Sequence, residues 1–400
     1  LSLSQFKENP RQTQSPDDYG RSQETRYSAQ VEKTWGDWTP RLHVGSRERR
    51  SAYQYVSFFS PLTTSESRQE QVSPQVVHKL AVPGFSATSV LGYDWQHWTF
   101  DKNVLMGQET ARQDNRAWFV RSDIALPSKT RVALGWRQER VTKTGDYPGA
   151  GYDAPLNYDR RDKLHASEVG VSQTVFPGWD VYGRLARSYR LPNVDENRLT
   201  PLAGPLRPQR NQDREIGLKW QGSGHAASIR YFRQTTVDEI AFVGTFFANA
   251  NIDPTRRRGV ELEGQWQLTS RLDLRATWQA LSARYREGPL AGRHVVLVSP
   301  RTGTLRANYQ WDEHQSMDIG LQYAAAMRFG QDTDNQCAKR VPSSTLLDAR
   351  YAWTGKDWTW SVAGTNLTDR DGYNYAYSCA GGDVYPYAGR AFKVSVSRQF

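Results

Sequence analysis

The chain has no long apolar run. Across its 400 residues the apolar stretches stay short, and Val295-Val296-Leu297-Val298 is typical of the longest. A membrane-spanning helix needs roughly 18 or more consecutive apolar residues, so helical insertion is excluded. Cysteine is also scarce. There are two, Cys337 and Cys379, with no metal-type spacing between them. That leaves either buried thiols or one disulfide. Both sit in polar stretches rich in Gly, Asp and Asn, which argues against burial. A Cys337–Cys379 disulfide is therefore expected, and with it an oxidising compartment. Catalytic order is missing as well. The 7 histidines and the serines are scattered, no Ser/His/Asp set has a recognisable spacing, and no metal-ligand cluster stands out. The chain is read as having no catalytic residues, no metal site and no cofactor, so not as an enzyme. No signal peptide opens it, and Leu1-Ser2-Leu3-Ser4-Gln5-Phe6 reads as the end of a strand already in progress.

Aromatic residues are abundant instead: 14 Trp, 20 Tyr and 14 Phe. Indole and phenol rings favour the bilayer interface, where one end is apolar and the other wet. Mean hydropathy is −0.74, which opposes a helical membrane protein but not a strand-built one. A barrel hides its apolar face in alternation, so its mean hydropathy stays low. The net charge is +10. Nucleic-acid binding is disfavoured, because Lys and Arg are spread through alternating strands and form no patch or arm. A basic lumen or mouth that attracts anions fits better.

A period of two recurs along the chain. The closing segment Ala391-Phe392-Lys393-Val394-Ser395-Val396-Ser397-Arg398-Gln399-Phe400 is apolar on even positions and ends on an aromatic. Trp118, Val120, Ile124 and Leu126 share one phase and return, after Pro127-Ser128-Lys129-Thr130, through Val132, Leu134 and Trp136. Similar hairpins run over Val260–Trp278, Leu305–Tyr323 and Leu347–Val362, and long polar loops such as Gly145–Tyr152 separate the units. The opposite face carries Glu261, Glu263, Gln265, Arg306, Asn308 and Gln310. A sandwich core could not hold so many polar groups, but a water-filled lumen can. The fold expected is all-β, a transmembrane antiparallel β-barrel with roughly 18 strands on the premise of ~10-residue spans. Short turns belong on the periplasmic side and long loops outside. A soluble propeller would need blade-sized repeats, which the sequence lacks.

Five segments, in order, resemble TonB-dependent outer-membrane receptors. Tyr189-Arg190-Leu191-Pro192 with Glu196 is similar to an "F-R-x-P-x-x-x-E" segment. Leu206-Arg207-Pro208-Gln209 and Glu215-Ile216-Gly217 resemble the return strand "L-x-P-E…E-x-G", with Gln209 replacing Glu. Arg258-Gly259-Val260-Glu261-Leu262-Glu263 resembles "R-G-V-E-x-E", where Gly259 is expected to precede a strand packed closely at the wall. Asn366-Leu367-Thr368-Asp369, with Tyr373 after it, resembles "N-L-F-D-x-x-Y", with Thr368 replacing the aromatic. Gly389–Val396 resembles the last strand. The resemblance implies a bacterial outer-membrane receptor that imports ferric siderophores, haem, cobalamin or related ligands with energy passed on by TonB. It also implies a barrel of about 22 strands with an N-terminal plug. Residues 1–400 are expected to be barrel alone, without plug or first strands, so TonB would engage through the missing N-terminal region.

Of the ligands the resemblance allows, a ferric siderophore or similar iron chelate is favoured. The stretch from Pro192 to Pro208 holds no histidine, whereas haem receptors of this type usually carry one there. Siderophore sites are built from loop aromatics and arginines. Candidate ligand contacts are Phe246 and Phe247 in one loop, Tyr373, Tyr375 and Tyr377 in another, and Arg293 with His294 in a third. Tyr385 and Tyr387 read as either girdle or ligand contacts. A Cys337–Cys379 bond would staple the last two extracellular loops. The expected partners are outer-membrane lipid, the chelate and TonB. A haem or cobalamin receptor, or a passive porin, is the alternative.

Overall fold

The structure is a computed structural model that describes residues 1–13, 15–56, 60–104, 107–149, 155–198, 204–243, 248–380 and 382–399. A short helix α1 (Leu3–Glu8) precedes β1 (Tyr19–Glu32), β2 (Trp38–Gln54), β3 (Thr63–Val82), β4 (Phe85–Val104), β5 (Gly107–Ala125), β6 (Thr130–Tyr147), β7 (Leu156–Phe176) and β8 (Trp179–Arg190). After α2 (Val194–Arg198) come β9 (Gln209–Gln221), β10 (His225–Val237), the small hairpin β11 (Glu239–Val243) and β12 (Ala248–Ile252), then β13 (Thr255–Thr269), β14 (Leu272–Tyr285), β15 (Arg301–Gln310) and β16 (Gln315–Ala324). The chain continues through β17 (Ser344–Thr354), β18 (Trp358–Thr365), a second small hairpin β19 (Tyr373–Ala376) and β20 (Val384–Pro386), and β21 (Ala391–Arg398).

Seventeen strands form one antiparallel meander, each paired with its neighbours in sequence once the two small hairpins are set aside. Short connections such as 83–84, 126–129, 177–178 and 270–271 mark the periplasmic end. Among the described residues β1 pairs only with β2, and β21 only with β18, so the wall is open between them. Because the count is odd, β1 and β21 run parallel. Antiparallel closure would take an odd number of further strands between them. The expectation of roughly 18 strands is thus met within one.

Period-two alternation decides the two faces. Trp118, Leu134, Ile216, Ile229, Leu262, Leu305 and Val394 are exposed on the outside, where lipid replaces water. The inner face carries charge, but it is not the basic lumen that the net charge suggested. Inward arginines are matched with carboxylates across strands. Arg184 lies 2.6 Å from Glu168, Arg230 lies 3.3 Å from Glu215 and also bonds Glu261, and Gln279 closes the row on Glu261 at 2.6 Å. Arg306 bridges Asp318 and Asp348 in the same way.

Several cross-strand partners pair a glycine with a ring. Phe232 faces Gly259 and Tyr182 faces Gly217. A Cβ on Gly259 would come within 2.3 Å of the Ala280 carbonyl and 3.1 Å of the Phe232 ring. The close packing expected of Gly259 is present, but the residue lies inside β13, which begins four residues earlier.

Three expectations fail for local reasons. Residues 1–6 do not end a strand. Ser2 and Gln5 form a capping box, with each side chain accepting the other's backbone N–H (3.2 and 2.8 Å), and α1 follows. Gly145–Tyr147 are strand rather than loop, because β6 and β7 stay paired up to Tyr147 and Leu156. Connection length does not strictly alternate either: β4 and β5 pair up to Val104 and Gly107, so paired strands replace a long loop there.

Candidate ligand site at the extracellular mouth

Four loop systems meet above the wall. The first is the turn after β8. Asn193 and Glu196 form a second capping box, with the Asn193 N–H donating to Glu196 Oε2 (2.8 Å) and the Glu196 N–H donating to Asn193 Oδ1 (2.7 Å). Arg190 Nη1 donates to both Glu196 oxygens at 2.8 and 2.9 Å. The buried Lys143 ammonium donates to the Pro192 carbonyl at 2.6 Å. The Tyr189–Glu196 motif is therefore a clamp that sets the loop's exit angle. It also holds the next system, since Asn249 on β12 donates to the Glu196 carbonyl at 3.0 Å.

The second system is the β11–β12 hairpin. Its stem is fixed by Arg257, whose guanidinium donates to both Glu239 oxygens (2.5 and 2.9 Å). Phe242 projects from it and meets Tyr377 of the last loop, ring centroids 6.1 Å apart. Phe246 and Phe247 lie outside the described residues.

The third and fourth systems carry the cysteines. Cys337 in the β16–β17 loop is bonded to Cys379 in the β18–β21 loop, with Cα atoms 5.9 Å apart. The expected staple of the last two extracellular loops is present. Asp332 lies against the bonded sulfurs, yet the trio is no metal site. The sulfurs are joined to each other, and the Asp332 carboxylate accepts the Cys337 N–H (2.9 Å) and pairs with Arg328 (2.6 Å).

The candidate tyrosines divide. Tyr373 is buried with Phe329, Val341, Ala376 and Val384, so it belongs to a miniature core within the loops. Phe6 of α1 packs edge-on against it at 5.4 Å, and Leu1 exchanges backbone hydrogen bonds with Val384. Tyr375 is half-buried and edge-on to the exposed Tyr385, centroids 5.0 Å apart. Tyr377 packs on Gly330, and among the described residues its hydroxyl has no hydrogen-bond partner. Tyr387 is half-buried at the loop stem. Arg293 is exposed, and the His294 N–H donates to Asn335 Oδ1 at 2.6 Å. Partial burial, then the nearby Arg284, Arg328 and Arg340, hold the His294 imidazole below its ordinary pKa. The local positive field belongs to the arginines. Tyr377 and Leu297 of the β14–β15 loop both lie beside Gly330, whereas Tyr373 belongs to packing.

Asn366 holds the stem of the last loop. It is buried with φ +47°, its amide donates to the Arg370 and Ala388 carbonyls (3.0 and 3.1 Å), and its carbonyl oxygen accepts the Arg370 N–H (3.0 Å). Asp369, also in the left-handed region, accepts the Arg390 N–H at 3.0 Å. Replacing Asn366 with Ala removes three bonds and leaves a non-Gly residue in that region, which should cost about 2–4 kcal/mol of loop stability. Limited proteolysis within residues 366–390 would show it as faster nicking. An unchanged rate would mean that the stem is held elsewhere.

A sequence-family model described as "TonB dependent receptor-like, beta-barrel" matches residues 2–367. The chain belongs to this family. It is an outer-membrane receptor barrel, not an enzyme. No curated protein matches it in sequence. Solved structures show the same fold. The ferric-catecholate import receptor Fiu of E. coli K12, in its closed form, has a TM-score of 0.79 at 15% identity, covering 96% of this chain and 65% of that one. The siderophore receptor PiuA of Acinetobacter baumannii gives 0.81 at 13%, with the same coverages. The ferric yersiniabactin uptake receptor FyuA of Yersinia pestis gives 0.77 at 16%, covering 100% and 65%. The chain thus spans just under two thirds of each receptor's length.

Proposed function

We propose that the receptor barrel takes up a ferric siderophore or similar iron chelate in a TonB-dependent way. The observation that supports this most directly is the join between two aromatic loops. Phe242 and Tyr377 meet in a mouth that also carries Arg284 at the end of β14 and Arg293 on the β14–β15 loop, a pairing of flat aromatic area with charge-assisted donors that suits a large anionic chelate. Residues 1–400 are read as barrel domain. Coupling to TonB is assigned to a plug-bearing region, which these residues do not include. Among the described residues β1 and β21 keep free edges, which supports this reading, since five further strands would close 17 to the 22 of such barrels.

Binding of a ferric catecholate, a ferric hydroxycarboxylate and haem to the full-length receptor tests the proposal. One of the iron chelates should bind, and Tyr377→Ala should weaken it about tenfold, by roughly the 1.4 kcal/mol of an aromatic contact. Binding of haem alone would overturn the ligand class. Passive ion conductance without saturable binding would favour a porin.

A further inference from the structure

The wall also opens between β7 and β8. Their pairing ends at Ser167 and Arg187, although β7 stays paired with β6 up to Leu156. The cause is the clamp after β8, which draws the top of that strand to the lumen side. The Tyr189 hydroxyl donates to Glu139 on the inner face of β6, Arg137 Nε donates to the Tyr189 oxygen at 3.3 Å, and the inward Lys143 holds the Pro192 carbonyl. Over residues 156–166 the far edge of β7 therefore has no strand beside it among the described residues. Two other outgrown strands are covered by loops. Where β14 outruns β15, the Leu281 N–H donates to the Pro300 carbonyl and the Val295 N–H to the Ala283 carbonyl (2.8 and 3.0 Å). Where β17 outruns β18, the Leu367 N–H donates to the Leu347 carbonyl at 2.8 Å.

The backbone phase of the open edge follows from one bond. The Thr174 N–H donates to the Lys129 carbonyl on the β6 side at 3.3 Å. Even residues of β7 thus bond towards β6 and odd ones turn towards the gap, since no register shift interrupts the β6–β7 pairing. The N–H and C=O groups of Asn157, Asp159, Arg161, Lys163 and His165 form the edge, and their side chains are exposed. These positions continue the outward phase of Val169 without an apolar residue, so the edge stands above the hydrocarbon belt. A cleft of about 190 Å³ lies at the base of the gap, lined by Lys163, His165, Arg187 and Arg210 among others. Asp159 has Arg161 beside it at 4.0 Å, but Lys163, Arg187 and Arg210 have no carboxylate within salt-bridge distance among the described residues.

We infer that this edge docks an extended, acidic segment of a partner protein by strand addition. An open edge offers main-chain donors and acceptors to any extended chain, and the three unmatched cations select an acidic one. A second copy of this chain does not fit. Two barrels in one membrane share an orientation, so their tilted β7 strands would cross instead of running side by side. The inference rests on the register of the wall and not on the imported ligand, so it stands even if the uptake reading fails.

The test uses the full-length receptor in neutral detergent and a short synthetic peptide of alternating Glu and Val, with a Lys/Val peptide as its counterpart. The Glu/Val peptide should bind saturably and slow amide exchange at the odd positions from Asn157 to His165 by about tenfold or more, and the Lys/Val peptide should do neither. Asp159→Pro removes an edge donor that β6 does not use, a position where proline is tolerated. Its lost carboxylate would by itself favour an acidic peptide. Binding about five- to tenfold weaker at an unchanged melting temperature therefore reads the backbone. A second variant, Lys163→Gln/Arg187→Gln/Arg210→Gln, leaves the backbone alone and should weaken binding while flattening its salt dependence. Equal binding of the two peptides would overturn the proposal. Undiminished binding by Asp159→Pro would leave charge alone and overturn strand addition. Protection of the odd amides in the free receptor would also overturn it, because the receptor's own chain would then cover the edge.

Discussion

Replacing Asp332 with Ala should loosen the mouth by about 3–5 kcal/mol, the cost of stranding one half of a buried ion pair. The Asp332 side chain is fully buried, and it accepts the Cys337 N–H while pairing with Arg328, itself only 16% exposed. Without the carboxylate, Arg328 would keep its charge in a site that excludes water, beside Arg284 and Arg340, which also lie close enough to bias His294. The loss should stay local. β16 and β17 are held by ten cross-strand partners of their own, which do not involve the loop. Amide exchange over residues 327–341 should therefore accelerate about 10²–10⁴-fold while the wall strands keep their protection. Asp332→Asn, which retains an acceptor for the Cys337 N–H, should give a smaller effect. If the loop exchanged no faster in the Ala variant, the pair would have no organising role.

How much of this was legible in the sequence depends on which direction of the sheet is considered. Along a strand, the phase of Trp118, Val120, Leu134 and Trp136 sufficed to place a hairpin and its turn, because side-chain direction has period two and depends on nothing distant. Across strands nothing was legible. Arg116, Arg140 and Lys163 looked dispersed in the sequence, and only register puts them in one row. The inward arginines misled for the same reason. A count of charges cannot show that Arg230 faces Glu261 and Glu215, so the lumen looked basic. The helix at Leu3–Glu8 was legible in principle through Ser2-x-x-Gln5, but the alternation Leu1-Ser2-Leu3-Ser4 masked it. In the mouth, residue type was informative and burial was not. The tyrosines of the last loop stood out as a group, yet nothing local distinguishes Tyr373, which packs against Phe6 from the far end of the chain, from Tyr377, whose hydroxyl has no hydrogen-bond partner among the described residues. Loop packing is long-range, and period-two reasoning stops where strands end.

The disulfide gives the other large effect. Cys337 and Cys379 are 42 residues apart, and closing a loop of that length restricts the unfolded chain by about 4 kcal/mol on the chain-entropy account. Replacing both with Ser should lower global stability by about 2–4 kcal/mol, since the β17–β18 hairpin lies inside the loop and already shortens the free path. The change should reach beyond the two loops. Cys337 packs against the cluster of Phe329, Val341, Tyr373, Ala376 and Val384, and Leu1, Leu3 and Phe6 of the N-terminal segment pack there too. Without the staple, α1 should lose protection along with the two loops, although it has no covalent tie to either. The same geometry couples this variant to Asp332, because the carboxylate that Asp332→Ala removes is the one that holds the Cys337 N–H. The two losses should therefore fall short of additivity, and a double-mutant cycle should give an interaction of about 0.5–3 kcal/mol. Strict additivity would mean that the bond and the buried carboxylate stabilise the mouth independently, and that the loops are two units side by side.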